Sequence, residues 1–215
     1  MQRKARAVAK RRPGLASRER LLDAAEKLFA RYGFNGVSVR RIVQAAKVNL
    51  GAVPYHFGTK EELFKAVIFR RAQPLRAERE ARLRRLTEGG KKATLEDVIR
   101  ALLEPAFRAS RENEWFRRLR ARASMDPTPK VQKLLAEIYN EEFRMVPKTL
   151  RQVSEGLPDD EFYWRLNCFY GVMFFVLADT GKIQTIAGKD FDTSRPEVAL
   201  QYVVPFLAAG FRAAV

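Results

Sequence analysis

From Ser17 onward the apolar residues of this chain recur at steps of three and four, and no stretch shows the strict alternation that writes a half-buried strand. Leu21, Leu22, Ala25, Leu28, Phe29 and Tyr32 line one face of a first helix, for which Ser17 offers a hydroxyl to an orphan amide. Gly33 stops it as a C-terminal glycine does. Ser38 is the expected N-cap of a short second helix whose stripe is Val39, Ile42, Val43 and Ala46. Asn49 reads as the cap of a third segment, Leu50 to Phe57. Thr59 and Glu62 form a Thr-x-x-Glu capping box opening a fourth helix through Leu63, Phe64, Val67 and Ile68. Three short helices with a tight turn between the second and third match a helix-turn-helix unit.

Beyond residue 70 the pattern stays helical. Pro74 is expected to kink or break the fourth helix, and Gly89-Gly90 marks a loop. Thr94 can cap a helix to Ala109, Trp115 to Ser124 forms another, and Asp126-Pro127-Thr128-Pro129 breaks the chain and starts the next. Asp159-Asp160-Glu161 favours the first turn of a helix reaching about residue 178. Ser194 and Glu197 make a further capping box opening the last helix. The expected fold class is therefore all-α: an N-terminal three-helix helix-turn-helix domain plus a larger C-terminal helical bundle, about nine helices in all. The expected division is a flexible basic arm over 1–16, the helix-turn-helix domain over 17–70, and the bundle over 71–215.

Charge narrows the function. The 215 residues hold 41 Lys/Arg against 25 Asp/Glu, a net of +16, alongside 47% hydrophobic residues. That composition describes a folded basic protein, with room for one long domain or two short ones. Residues 1–70 carry +11, residues 71–122 carry +7 and the remainder −2, so a polyanion should meet the N-terminal third. With one histidine, His56, and one cysteine, Cys168, the chain has no zinc constellation and no intramolecular disulfide. No metal or cofactor is expected. No nucleophile, base and orienting group stand at a recognisable spacing, so an enzyme is not expected either. Gly188-Lys189 only imitates the end of a phosphate-binding loop, because Asp190 replaces the required Ser or Thr. The longest nearly apolar stretch, Cys168 to Ala178, is far short of the roughly 20 residues of a membrane span, and the N-terminus has no apolar run behind its charges. The expected compartment is the cytoplasm.

The stretch from Ser17 to Val67 resembles the DNA-binding domain of the TetR family of bacterial transcriptional regulators. The residues that carry the resemblance are Leu21 to Phe29, Tyr32-Gly33-Phe34, Ser38 to Ile42, and above all Gly51-Ala52-Val53-Pro54-Tyr55-His56-Phe57-Gly58-Thr59-Lys60-Glu61-Glu62-Leu63. The Tyr-His-Phe-Gly-Thr-Lys-Glu run is similar to a branch in which some members answer fatty acids or acyl-CoA. The resemblance implies that Ser38, Tyr55, His56 and Lys60 contact phosphates. It also implies that Arg40, Asn49, Leu50 and Ala52 are base-edge candidates, Arg40 for guanine and Leu50 or Ala52 for a thymine methyl. Gly51 would let the backbone approach the duplex. Arg40 and Arg41 lie about 100° apart on their helix, so one of them is left as a phosphate or solvated charge. The competing reading makes Tyr55 and Phe57 simple core. Two residues depart from the family pattern: Lys47 stands where the turn often has glycine, implying a positive φ, and Pro54 implies a distorted recognition helix.

The resemblance also implies a homodimer on a near-palindromic double-stranded DNA operator, released by a small apolar or amphiphilic inducer. Phe107, Trp115, Phe116, Arg120, Tyr139, Phe143, Tyr170 and Met173 are candidate pocket residues, and Phe169, Phe175, Tyr202 and Phe206 candidate interface residues. For each, ordinary core is the alternative. A basic protein of the membrane surface, using residues 1–12 and Arg117 to Arg122 against anionic lipid, is the alternative function.

Overall fold

The computed structural model describes residues 2–88, 92–154, 156–178, 182–188 and 195–214, with side chains described at all of these except 2–13, 109–112 and 196. Ten helices and no strand occur among the described residues: α1 (Gln2–Tyr32), α2 (Val39–Ala46), α3 (Ala52–Phe57), α4 (Lys60–Glu88), α5 (Leu95–Glu112), α6 (Glu114–Ser124), α7 (Pro129–Val153), α8 (Asp159–Ala178), α9 (Lys182–Ala187) and α10 (Pro196–Arg212). The tenth is α9, a six-residue helix that the periodicity missed because it buries no side chain.

The chain divides into two compact units, Met1–Arg71 with Arg118–Ile138, and Ala72–Arg117 with Tyr139–Val215. Residues 118–138, which the sequence assigns to the second domain, thus group with the first. The first unit holds 22 Lys/Arg against 7 Asp/Glu, a net of +15, and the second 19 against 18, a net of +1.

In the first unit Leu21, Leu22, Ala25 and Phe29 of α1, Ile42 and Val43 of α2, Val53 of α3, and Leu63, Phe64, Val67 and Ile68 of α4 are buried. Phe29, Phe34 and Phe64 meet there with ring centroids 5.1 to 6.0 Å apart, two of the pairs edge-on, the arrangement aromatic quadrupoles favour. Buried Glu26 of α1 accepts from Arg70 at 2.6 Å and Arg71 at 3.1 Å, so α1 is tied to α4 by a charge that could not sit there unpaired.

Several starts and stops follow from local chemistry. Gly33 takes φ 72° and donates its amide to the Phe29 carbonyl at 2.9 Å, ending the apolar face of α1. Thr94 and Asp97 exchange hydrogen bonds as a reciprocal box ahead of α5, and Asn113 accepts from the Phe116 amide to cap α6.

Other expectations are corrected. Residues 2–16 are not an arm with its own break but the first turns of α1. Ser17 therefore lies inside that helix, and its hydroxyl donates to the Gly14 carbonyl at 2.8 Å instead of capping. Pro74 does not break α4, which buries Ala72 and Leu75 on either side of it. At the start of α4 only half of the capping box forms: Thr59 accepts from the Glu62 amide at 3.1 Å, while the Glu62 carboxylate goes to Lys65 at 2.9 Å. Ser194 and the Gly89-Gly90 loop lie outside the described residues. The residue before α10 is Arg195, and Pro196 opens the helix.

In the second unit α5, α8 and α10 share the core, with Ile99, Leu102 and Leu103 of α5, Phe162, Phe169 and Met173 of α8, and Val204, Leu207 and Ala208 of α10. Arg79 of α4 is buried, donating to the Leu102 carbonyl at 2.7 Å and to Glu142 of α7 at 2.5 Å. Arg165 donates to the Gly210 and Ala213 carbonyls at 2.8 and 2.5 Å and so closes the end of α10.

Candidate nucleic-acid interface

Ser38 is extended (φ −94°, ψ 154°), and its hydroxyl accepts from the Arg41 amide at 3.2 Å. The Val39 and Arg40 amides remain among the orphan donors of the first turn, and with the helix dipole they face an anion favourably. Arg40 is exposed. Arg41 instead stacks on Tyr32 of α1, its guanidinium carbon 3.8 Å from the ring centroid. The two neighbours are thereby separated in role, Arg41 being held and Arg40 left outward. α2 ends at Lys47, the one non-glycine with positive φ among the described residues, at φ 53°, ψ 49°. Its amide donates to Gln44 and the Val48 amide to Val43, both at 3.1 Å, the paired bonds of a Schellman motif.

The recognition segment begins two residues later than its sequence suggests. Gly51 is the N-cap of α3 and makes no side-chain cap bond, so Asn49 is not the cap; its carbonyl accepts from the Ala52 amide at 3.1 Å. This offset removes the expected distortion at Pro54. With Gly51 as cap, Pro54 is the third helical residue, whose amide has no intrahelical partner to lose. The first regular bond, from the Tyr55 amide to the Gly51 carbonyl, forms at 3.1 Å.

Asn49, Leu50 and Gly51 are exposed, Leu50 to 61%, while Ala52 and Val53 turn into the core. Ala52 is accordingly a poorer base contact than its position implied. Tyr55 is 82% exposed, which removes it from the core, and Phe57 is half-buried beneath the Arg18 guanidinium at 5.3 Å. His56 lies edge-on to Tyr55 with centroids 4.8 Å apart, and its Nε2 sits 2.7 Å from Ser17 Oγ. The Ser17 hydroxyl proton is committed to Gly14, so Nε2 supplies the proton of this bond and Nδ1 is left for an outside partner.

Gly14, Ser17 and Arg20 of α1 together with Val48, Asn49, Gly51, Ala52, Tyr55 and His56 line a concavity of about 560 Å³. Sequence reasoning missed the α1 side of it. The signal was present in the spacing 14, 17, 20, one face of a helix, but Ser17 was read as a cap.

Lys60, at the start of α4, lies with its ammonium 4.2 Å from the Phe34 ring. Burial pushes its pKa below the ordinary lysine range; Glu61 opposes this and Lys130 adds to it. It is a half-buried charge on an aromatic face.

Residues 21–67 match the family model of bacterial regulatory proteins of the tetR family, and residues 100–210, just over half of the chain, match that of the tetracyclin repressor-like C-terminal domain. The chain belongs to the TetR family. The HTH-type transcriptional repressor AcnR of Corynebacterium glutamicum is 43% identical over 51 residues, 24% of this chain and 27% of that protein. The HTH-type transcriptional regulatory protein RaaS of Mycobacterium tuberculosis is 40% identical over 70 residues, 33% of this chain and 32% of that one. The chain thus spans about a quarter to a third of these curated relatives. The crystal structure of the regulator FadR of Bacillus subtilis, in complex with stearoyl-CoA, superposes with a TM-score of 0.67 at 15% identity, covering 89% of this chain and 98% of that one.

The TetR-family C-terminal domain distributes the remaining predicted residues unevenly. Phe107, Phe116, Tyr139 and Met173 are buried, Trp115 and Tyr170 half-buried and Phe143 exposed, whereas Arg120 is buried in the first unit. Phe143 links Tyr139 and Tyr170 at centroid distances of 6.1 and 6.5 Å. A cleft of about 560 Å³ in the second unit is lined elsewhere, by Leu83, Leu86, Ala93, Val98, Met145 and Val153, with Glu80, Arg84 and Lys92 supplying charge and Thr87, Thr149 and Gln152 the other polar groups. None of the eight predicted pocket residues lines this cleft.

Phe169 is corrected from interface to core at 1% exposure. Phe175 is exposed, and Tyr202 and Phe206 are 72% and 68% exposed; Trp164, which sequence reasoning did not single out from its neighbours, is 71% exposed. The Arg-rich helix α6 is not a free cationic face. Arg117 donates to the Ala178 carbonyl at 2.7 Å and Arg120 is buried.

Proposed function

We propose that this TetR-family protein is a sequence-specific DNA-binding transcriptional repressor of the bacterial cytoplasm, acting as a homodimer and released from a near-palindromic operator by an amphiphilic ligand. The observation that carries the reading is the surface around α2 and α3. Ser38, Arg40, Asn49, Leu50, Gly51 and Tyr55 are exposed at the starts of two short helices, in a unit of net charge +15.

Each role follows from chemistry. Amides at the start of α2 and the Tyr55 hydroxyl hold phosphates and fix the register. Arg40 bonds guanine O6 and N7, Asn49 reads an adenine edge, and Leu50 covers a thymine methyl. His56, its ring held by Ser17, adds a contact to the sugar-phosphate backbone beside Tyr55.

One copy reads one half-site, so two copies must pair. The exposed Trp164 and Phe175 of α8 with Tyr202 and Phe206 of α10 supply an apolar surface for that pairing. The second unit, nearly neutral overall, binds the ligand. The stearoyl-CoA bound by the Bacillus subtilis protein favours an acyl chain with an anionic head.

The reading is tested by comparing affinity for the duplex upstream of the protein's own gene with affinity for random duplex at physiological salt. The upstream duplex should bind at least a thousandfold more tightly. Equal binding overturns it.

A further inference from the structure

α4 and α7 each turn one face toward the same cleft of the second unit. Glu80, Leu83, Arg84 and Thr87 are related by steps of three and four on α4, and Met145, Thr149 and Gln152 on α7, which places them together on its walls. Leu83, Leu86, Met145 and Val153 are only partly buried, yet all four pack against the core cluster that holds Val98. The apolar wall is thus continuous with the core, and at about 560 Å³ the cleft falls within the roughly 300–1,000 Å³ of small-molecule sites.

The polar groups on that wall sort a ligand by its head. The Thr87 hydroxyl donates to the Arg84 carbonyl at 2.7 Å and the Thr149 hydroxyl to the Met145 carbonyl at 2.8 Å, so both protons are spent within their own helices. Glu80 lies 3.6 Å from Arg76, one turn back on α4, which offsets its charge. The donors that the cleft contributes are then the guanidinium of exposed Arg84, the ammonium of exposed Lys92 and the amide of exposed Gln152. A cationic head would meet two like charges there and a neutral head would use neither. A carboxylate or phosphate matches both the fork of Arg84 and the point charge of Lys92.

We infer that this cleft seats a single-chain amphiphile with an anionic head, its tail along Leu83, Leu86, Val98, Met145 and Val153 and its head on Arg84 and Lys92. This rests on the reading above, in which the second unit binds an amphiphilic ligand, and names the residues that select it. The aromatic residues expected to line a pocket take no part in the cleft.

The experiment titrates the full chain by calorimetry with decanoate, decanol, hexanoate and decanoyl-CoA. Decanoate should bind at least about tenfold more tightly than decanol, the worth of hydrogen bonds to a charged group. It should exceed hexanoate by at least about tenfold too, since each fully buried methylene contributes about fourfold. Arg84→Ala/Lys92→Ala should remove the advantage over decanol and keep the advantage over hexanoate. Arg144→Ala/Lys148→Ala, which takes the same charge from exposed positions of α7 outside the cleft, should change neither. Decanoyl-CoA tells the two sources of an anionic head apart: binding tighter than decanoate and lost in the first variant assigns the cleft to acyl-CoA, and weaker binding assigns it to the free acid. Equal losses in both variants overturn the inference, as do decanol binding as tightly as decanoate and the absence of binding by every probe. The same preparations are titrated with the upstream and random duplexes. A missing preference overturns the regulator reading and not the assignment of the cleft, which the calorimetry decides; a preference kept while the two variants behave alike overturns only the inference.

Discussion

Gly51→Ala should push folding and function in opposite directions. At φ −70°, ψ −9° the residue is in a conformation that alanine adopts freely, so nothing in the backbone asks for glycine. A Cβ built there meets only Asn49 Oδ1, at 3.8 Å, an ordinary contact. Replacing glycine at a compatible position removes unfolded-state freedom and stabilises by about 0.4–1 kcal/mol, which for a chain of this size raises Tm by about 1–4 °C. On the proposed DNA face the added methyl stands where the backbone must come closest to the duplex, and a loss of operator affinity of at least about tenfold, near 1.4 kcal/mol, is expected. Thermal melting and fluorescence anisotropy on one preparation measure both. A stabilised variant with unchanged operator affinity would refute the placement of Gly51 against DNA, and a destabilised one would refute the reading of the local backbone. Gly33→Ala is the internal contrast: the new Cβ would meet only Arg122, at 3.4 Å, but φ is 72°, so this variant should lose about 1–2 kcal/mol of stability.

Lys47→Gly should relieve the left-handed strain at the end of α2 and raise stability by roughly 0.5–1 kcal/mol over Lys47→Ala in denaturant titrations, because about 1–2 kcal/mol of strain is offset by the extra unfolded-state freedom of glycine; equal midpoints would count against it. Arg40→Ala should cost about 1–3 kcal/mol of operator affinity and relax specificity at one base pair, whereas Arg41→Ala, losing its seat on Tyr32, should weaken all sequences alike; base-substitution panels separate the two outcomes. Hydrogen bonds from Arg212 and Lys65 hold the Glu96 and Glu137 carboxyls below the ordinary carboxylate range. Their stabilisation is complete above about pH 4.5, the ordinary glutamate value, and is lost as pH falls through the depressed folded-state values, so Tm should drop below that point and Glu96→Gln should make the acid fall shallower. Phe206→Asp places a charge on a 68% exposed position, so it should leave helicity unchanged while converting dimer to monomer in sedimentation and lowering operator affinity; a dimeric variant would move the interface elsewhere.

What could be read from the sequence was what depends on neighbours along the chain. Ser38 and Thr94 mark helix starts because a cap acts over three residues and Asp159 because the helix dipole acts over one turn, whereas the φ of Lys47 was implied only by the family resemblance. Pro54 was misjudged by a two-residue error in where α3 begins. A proline at the fifth helical position costs a hydrogen bond, whereas at the third it costs none. Phe169 and Phe175 show the other limit. Both are aromatic, six residues apart on α8, and only the packing of α10 and α5 decides that one is core and the other exposed. The same limit holds for the predicted pocket residues, none of which lines the described cleft, since a cleft wall and a core use the same side chains.

The sequence windows of +11, +7 and −2 left the middle charge unexplained, and the fold explains it by two routes. Arg71, Arg118, Arg120 and Arg122 leave the middle window for the first unit, joined from the last window by Lys130 and Lys133 with Asp126 and Glu137, and raise that unit from +11 to +15. Four of the arginines that stay are matched to acids within their own unit: Arg76 to Glu80 and Glu141, Arg79 to Glu142, Arg82 to Glu78 and Glu104, and Arg108 to Glu78. Two of those acids, Glu141 and Glu142, come from the window that looked mildly acidic. Charge that neighbours its opposite adds little to the field at a distance, while unmatched charge on one unit adds directly to it. The polyanion-binding potential is therefore a property of the unit that carries α2 and α3, and the near neutrality of the second unit suits the pairing and ligand binding proposed for it.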